Sequence, residues 1–241
     1  MLAAHNISLS TRLAGVSAAF RAGEVTAICG PNGAGKSTLL HVLAGLLAPD
    51  TGGVRLDDAP LSQYPAQKRA QMIGFLPQSA EIAWDLRVDA LVALGRLPFR
   101  DQDQTAVDAA IAAMELAELR HRPVMQLSGG ERARALMARV LAGAPRWILA
   151  DEPLANLDLA HAAALMGKLR IQADAGVGVV LVMHDLAAAM NFADRVLVLD
   201  RGQVAAEGPP DEALAADVIA QVWRVRAMWL GEVGARALAI S

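Results

Sequence analysis

With 241 residues, 54% of them hydrophobic, the chain can bury a substantial core in one large or two small domains. Its apolar content excludes intrinsic disorder, and a formal net charge of −3 excludes the basic footprint of a nucleic-acid binder. The lone cysteine, Cys29, excludes an internal disulfide and fits a reducing compartment. Met1–Asn6 lacks the basic and apolar regions of a signal peptide, and no apolar run approaches the ~20 residues that span a bilayer. The chain therefore reads as soluble, with any membrane role supplied by other subunits.

Short alternating patterns, Ile7-Ser8-Leu9-Ser10 and Val16-Ser17-Ala18-Ala19-Phe20, predict strands of a small sheet. Val25-Thr26-Ala27-Ile28-Cys29 predicts a buried strand, with Cys29 a packed residue of it. Gly30-Pro31-Asn32-Gly33-Ala34-Gly35-Lys36-Ser37-Thr38 follows, and then a dense apolar run that predicts a core helix. The order strand, glycine loop, helix makes this stretch a phosphate cradle. Glycines let successive N–H groups curl toward one anion, and the helix N-terminus adds partial positive charge. Lys36 can reach terminal phosphates, and the Ser37 hydroxyl can ligate Mg²⁺.

Asp50–Gly53 predicts a turn before a short strand at Val54–Leu56, and Met72–Leu76 predicts a strand ending at Pro77-Gln78. Residues 79 to about 126 read as a helical insert punctuated by Pro98 and Pro123, and a helix that follows Ser128 ends at Gly143. The α/β rhythm then returns. Trp147–Ala150 is a strand, Leu159–Ala173 a helix, and Val177–Met183 an apolar run continuous enough for a strand covered on both faces. A helix at Asp185–Ala193, a strand at Val196–Leu199, a turn at Arg201-Gly202 and a helical tail after Pro210 complete the chain. The alternation predicts an α/β fold with a mainly parallel sheet. No repeat, heptad pattern, low-complexity linker or metal-ligand cluster is visible, and His5, His41, His121 and His161 belong to no motif.

Leu127-Ser128-Gly129-Gly130-Glu131 is a second glycine-bearing helix start. By itself it is an ordinary capping box, Ser128 with Glu131. Together with the loop at 30–38 and a strand ending Asp151-Glu152-Pro153, it resembles the nucleotide-binding subunits of ABC transporters, over essentially the whole chain. The resemblance implies a P-loop NTPase (RecA-like) core with an N-terminal antiparallel β subdomain and an inserted α-helical subdomain. It makes 1–241 one ATPase domain, with 1–78 and 143–241 as the core and 79–142 as the helical part.

Residue by residue, the resemblance implies ATP binding by Gly30 to Thr38. It gives Asp151, Ser37 and Gln78 to Mg²⁺, Glu152 as the general base toward water, and His184 as a contact to the γ-phosphate. Gln78 also senses the membrane subunit, and Asp158 in Leu154-Ala155-Asn156-Leu157-Asp158 touches an opposite copy, caps the next helix, or does both. The cradle of one copy and Ser128, Gly129 and Gly130 of another close on one ATP, which implies a homodimer. Three departures stand out. No aromatic occurs in residues 1–19, where such ATPases stack adenine, so either Arg12 stacks its guanidinium on the base or base affinity is weak. Ala133 stands where glutamine is common, and Ala150 where a larger apolar residue is common.

The segment Arg87–Arg100 and the tail from Gly208 resemble ATPases of ferric-siderophore, haem and vitamin B12 importers, and Ser10-Thr11-Arg12-Leu13 resembles the B12 branch. The implied setting is the cytoplasmic face of a bacterial inner membrane. There, transmembrane permease subunits would dock just after Gln78, and a periplasmic binding protein would deliver the cargo. The alternatives are an exporter ATPase, such as a haem exporter, and an ABC ATPase acting on DNA or ribosomes. The latter usually carries a coiled-coil insertion, zinc-binding cysteines or a tandem cassette, none of which is present.

Overall fold

The structure is a computed structural model describing residues 1–78, 85–155 and 157–240. The chain opens with β1 (Leu2–Leu9), β2 (Leu13–Phe20), β3 (Val25–Cys29), α1 (Lys36–Leu43), β4 (Thr51–Leu56), β5 (Ala59–Pro60), α2 (Ala66–Met72) and β6 (Ile73–Leu76). Three helices follow without a strand between them: α3 (Val88–Ala93), α4 (Gln104–Ala113) and α5 (Gly129–Ala142). The remainder runs β7 (Trp147–Asp151), α6 (Leu159–Asp174), β8 (Gly178–Val182), α7 (Leu186–Phe192), β9 (Arg195–Asp200), β10 (Gln203–Gly208), α8 (Pro210–Ala213), α9 (Ala216–Trp223), β11 (Ala227–Leu230) and β12 (Ala237–Ile240).

The main sheet has the order β10-β9-β3-β8-β7-β6, parallel throughout except for the antiparallel edge strand β10. Every residue of β3, β7 and β8 is buried, because packed elements cover both faces and leave no polar side to alternate with. On one face Ile28, Leu149, Val180 and Leu197 pack with Leu39, Leu40 and Leu43 of α1 and with Leu2, Ile7 and Phe20 of the small antiparallel sheet β2-β1-β4-β5. On the other, Ala27, Ile148, Val179 and Leu181 pack with Met137 of α5 and Leu165 and Leu169 of α6. Alternate residues of one strand thus serve two cores. Both cores support one edge, where the C-terminal ends of the parallel strands come together.

The expected turn at 50–53 begins instead as strand. Thr51 pairs with Ser8 and Gly53 with His5, and Gly52 bends the strand with φ 77°. A Cβ on Gly52 would lie 2.2 Å from the Asn6 carbonyl oxygen, so only glycine fits that approach. Met72 ends α2 rather than opening a strand, and α2 itself had no expectation. The tail is helical only through Trp223. It closes with the β11–β12 hairpin, held by Trp229 Nε1–H donating to the Leu214 carbonyl at 2.8 Å. Cys29 is a packed strand residue, and burial pushes its thiol up to about 12.

Candidate active site

The loop after β3 turns through three glycines with positive φ, Gly30 (149°), Gly33 (80°) and Gly35 (98°). Gly30 has no room for a side chain, since a Cβ there would meet the Leu199 carbonyl oxygen at 2.2 Å. Lys36 starts α1 yet folds back over the loop, its Nζ donating to the carbonyls of Gly30 (2.8 Å) and Pro31 (3.0 Å). Burial lowers the lysine's pKa, while Glu152, Cys29 and Asp151 act in the opposite direction. The cation is thus held over a bed of carbonyls that a phosphate could replace as its partner.

Next in α1, Ser37 Oγ–H donates to Asp151 Oδ1 at 3.1 Å. Asp151 closes the buried strand β7 and is 3% exposed. Burial raises its pKa, the Ser37 hydrogen bond opposes that, and neighbouring Glu152 adds to the rise. Hydroxyl and carboxylate oxygen, 3.1 Å apart beside a phosphate loop, are hard donors of the kind Mg²⁺ takes.

Glu152 lies just past the strand in a left-handed conformation, φ 51°, which turns its side chain out of the sheet edge. There two side chains bracket its carboxylate. Gln78 Nε2–H, just beyond β6, donates to Oε2 at 2.8 Å, and His184 Nε2–H, just beyond β8, donates to Oε1 at 2.5 Å. The structure therefore brings together three residues 74 and 32 positions apart in the chain. They sit on a cavity of about 810 Å³ that is also lined by Asn32 to Thr38 and by Arg12. Arg12 occupies the rim from the tip of the β1–β2 turn, and its backbone carbonyl packs over Gly35. Among the described residues, no Phe, Tyr or Trp lines this cavity.

Ser128, Gly129, Gly130 and Asp158 do not reach it. Ser128 caps α5: its Oγ accepts from the Glu131 N–H at 3.3 Å, and its own N–H donates to Glu131 Oε2 at 2.7 Å. Asp158 caps α6, its Oδ1 accepting from the His161 N–H at 2.8 Å. Asn156 and residues 79–84, the expected docking stretch after Gln78, lie outside the described residues. One contact escaped the sequence reading. The ring of His161 lies against Gly130 and bonds Asp158, and the only linear trace is the spacing Asp158-x-x-His161 at a helix start.

Residues 13–155 match the ABC transporter family. The hemin import ATP-binding protein HmuV of Streptomyces coelicolor is 45% identical over 216 residues, covering 88% of this chain and 77% of that protein. HmuV of Shewanella denitrificans is 37% identical, covering 93% of both. Among solved structures, cbiO1 from Clostridium perfringens, part of the ABC transporter complex cbiONQ, superposes with a TM-score of 0.81 at 28% identity, covering 91% of this chain and 92% of that one. The ATP-binding cassette MJ0796, dimeric with ADP and Pi, superposes with a TM-score of 0.78 at 27% identity, covering 87% and 99%. With the phosphate loop, the Asp151-Glu152 pair and the family match in one cavity-bearing fold, the chain belongs to the ABC transporter family, as an ATP-binding transport ATPase.

Proposed function

We propose that two copies of this chain sandwich two ATP molecules and that hydrolysis powers haem uptake through separate membrane subunits. The observation that carries the reading is the carboxylate of Glu152, held between Gln78 and His184 at the mouth of the phosphate-loop cavity. A carboxylate so oriented is a general base for the attacking water, while His184 and Gln78 fix its direction and contact the terminal phosphate. Lys36 exchanges its carbonyl partners for phosphate oxygens, and the N–H groups of Gly33 to Thr38 cradle the β-phosphate. Ser37 and Asp151, with Gln78, hold Mg²⁺, which neutralises phosphate charge when bound with the nucleotide.

Among the described residues that line the cavity, none comes from the start of α5. Ser128 to Gly130 lie at another surface, so a second copy supplies them. Leu159, 90% exposed beside Asp158, favours such a covered face. The helical part of the one ATPase unit, taken as 79–142, carries α3 to α5 among its described residues.

A groove of about 550 Å³ runs between that part and the core, with Leu46, Leu94, Leu97 and Phe75 along it. Leu46 and Leu97 are 61% and 68% exposed, and the floor strand β6 leads directly to Gln78. A short apolar helix of a permease fits there and reports through Gln78 to Glu152. The complex works peripherally at the inner membrane, where a periplasmic binding protein delivers the cargo. Haem as cargo is supported by the hemin-import relatives at 37–45% identity.

The test is reconstitution. Co-expressed with its permease in vesicles, the chain should drive ATP-dependent uptake of haem in preference to vitamin B12 or a ferric siderophore. Uptake of B12 alone would overturn the cargo, and absence of ATP hydrolysis would overturn the whole reading.

A further inference from the structure

The start of α5 is unusual in having two glycines, Gly129 and Gly130, directly after its cap. Glycine adds no side-chain contact of its own to the turn that the Ser128–Glu131 cap begins, so a neighbouring side chain can pack directly on its backbone. At Gly130 such a contact is visible. A Cβ built there would lie 2.5 Å from Cδ2, 2.6 Å from Cγ and 3.0 Å from Nε2 of His161, and these are the three nearest atoms. The imidazole is seated on the Cα face of the glycine, closer than any other residue type would allow.

The other edge of the same ring is fixed to the segment before α6. His161 Nδ1–H donates to Asp158 Oδ2 at 2.8 Å, and Asp158 Oδ1 accepts from the His161 backbone N–H at 2.8 Å. This pairing holds the Asp158 carboxyl below its ordinary range, through the backbone hydrogen bond first and the ring second. Two residues that are distant in the chain, Gly130 and Asp158, are therefore joined within one copy by a single side chain.

We propose that His161 is a positioning residue that couples the segment ending at Asp158 to the glycine start of α5, so that both meet a second copy as one rigid surface. This rests on the sandwich reading above. His161 itself touches neither phosphate cradle nor Glu152; it acts through Gly130 and Asp158. The ring supplies the contact with Gly130, and its N–H supplies the bond to Asp158.

The experiment uses the Glu152→Gln full-length chain as parent and follows MgATP-driven dimerisation by sedimentation, with binding of a fluorescent ATP analogue to the monomer as control. His161→Ala should leave monomer affinity within about twofold while raising the MgATP needed for half-dimerisation by about fivefold to tenfold, the coupling expected of neighbouring residues. His161→Asn keeps a donor for Asp158 without a ring on Gly130 and should match the alanine variant. His161→Phe restores the ring without the donor and should recover part of the loss. Its similar bulk also provides a folded variant should alanine destabilise α6. Dimerisation of the Ala and Asn variants at the parent's MgATP concentration would overturn the proposal, even if their melting temperatures fell. A parent that stays monomeric overturns the sandwich reading, and this proposal with it.

Discussion

In the proposed mechanism Glu152 is the general base, and its bracketing by Gln78 and His184 sets the first expectation. Glu152→Gln removes the base but leaves the phosphate cradle, so hydrolysis should fall at least about 100-fold while ATP still binds and holds a stalled dimer. Gel filtration with MgATP that shows only monomers would contradict it. Lys36→Ala leaves the cradle without its cation and should weaken ATP by about 10- to 100-fold in calorimetry.

Among the described residues that line the cavity, Arg12 carries the one guanidinium, and none is Phe, Tyr or Trp. Its guanidinium can stack on either purine, so Arg12→Ala should weaken ATP and GTP equally, by about 2- to 5-fold. Unchanged affinities would leave the base without a platform in this chain.

Asp151 gives a pH and metal signature. Burial raises its folded pKa above the unfolded value, so the folded state holds the proton more tightly. The nucleotide-free protein therefore loses stability as pH rises from below the ordinary carboxylate range through the raised folded value. Asp151→Asn, which stays neutral, should stabilise the nucleotide-free protein at neutral pH by about 1 kcal/mol. It should also lose the thermal stabilisation that MgATP confers on the parent. Differential scanning fluorimetry with and without MgATP checks both signs.

At the scale of elements, α5 and the turn after α3 meet at a backbone contact that leaves no room for a Cβ atom. Gly95, just after α3, faces the Arg139 carbonyl of α5, where a Cβ would come to 2.0 Å. The turn that carries Gly95 is tied down by Arg96, which donates to the Ala142 carbonyl at 3.1 Å, pairs with Asp101 and stacks on Phe99. Gly95→Ala should cost about 2–3 kcal/mol in urea unfolding by prying this turn off α5. It should also widen the groove lined by Leu94 and Leu97.

The reading of elements from sequence succeeded where burial is two-sided or helical spacing is long. β3, β8, α5 and α6 lie within a residue or two of the expected spans. It failed at 50–53 and after Trp223, because Gly52 and the β11–β12 hairpin are strand only by virtue of their pairing partners.

For the whole molecule, Ser128 does not line the phosphate-loop cavity, and in the proposed sandwich a second copy supplies it. Mixed dimers discriminate sharply. A copy defective at Lys36 paired with one defective at Ser128 places both faults in one pocket and leaves the other pocket intact, whereas each parent has none. Random mixing of two inactive variants should therefore restore about a quarter of the wild-type pockets. No recovery of ATPase on mixing would refute shared pockets.

Family, nucleotide loop and the acid pair were all written in contiguous residues, because a phosphate cradle is a local object: glycines, a lysine and a helix start next to one another. Gln78, Glu152 and His184 could be named from short stretches, yet nothing linear says that they touch. The parallel order β3-β8-β7-β6, which sets the C-terminal ends of these strands side by side, decided that. The seat of His161 on Gly130 is likewise invisible in sequence, because it joins two helix starts 31 residues apart, the distance from 130 to 161, through a contact that only packing creates. Chemistry that runs along the backbone was legible in the chain, and chemistry that runs across it had to wait for the fold.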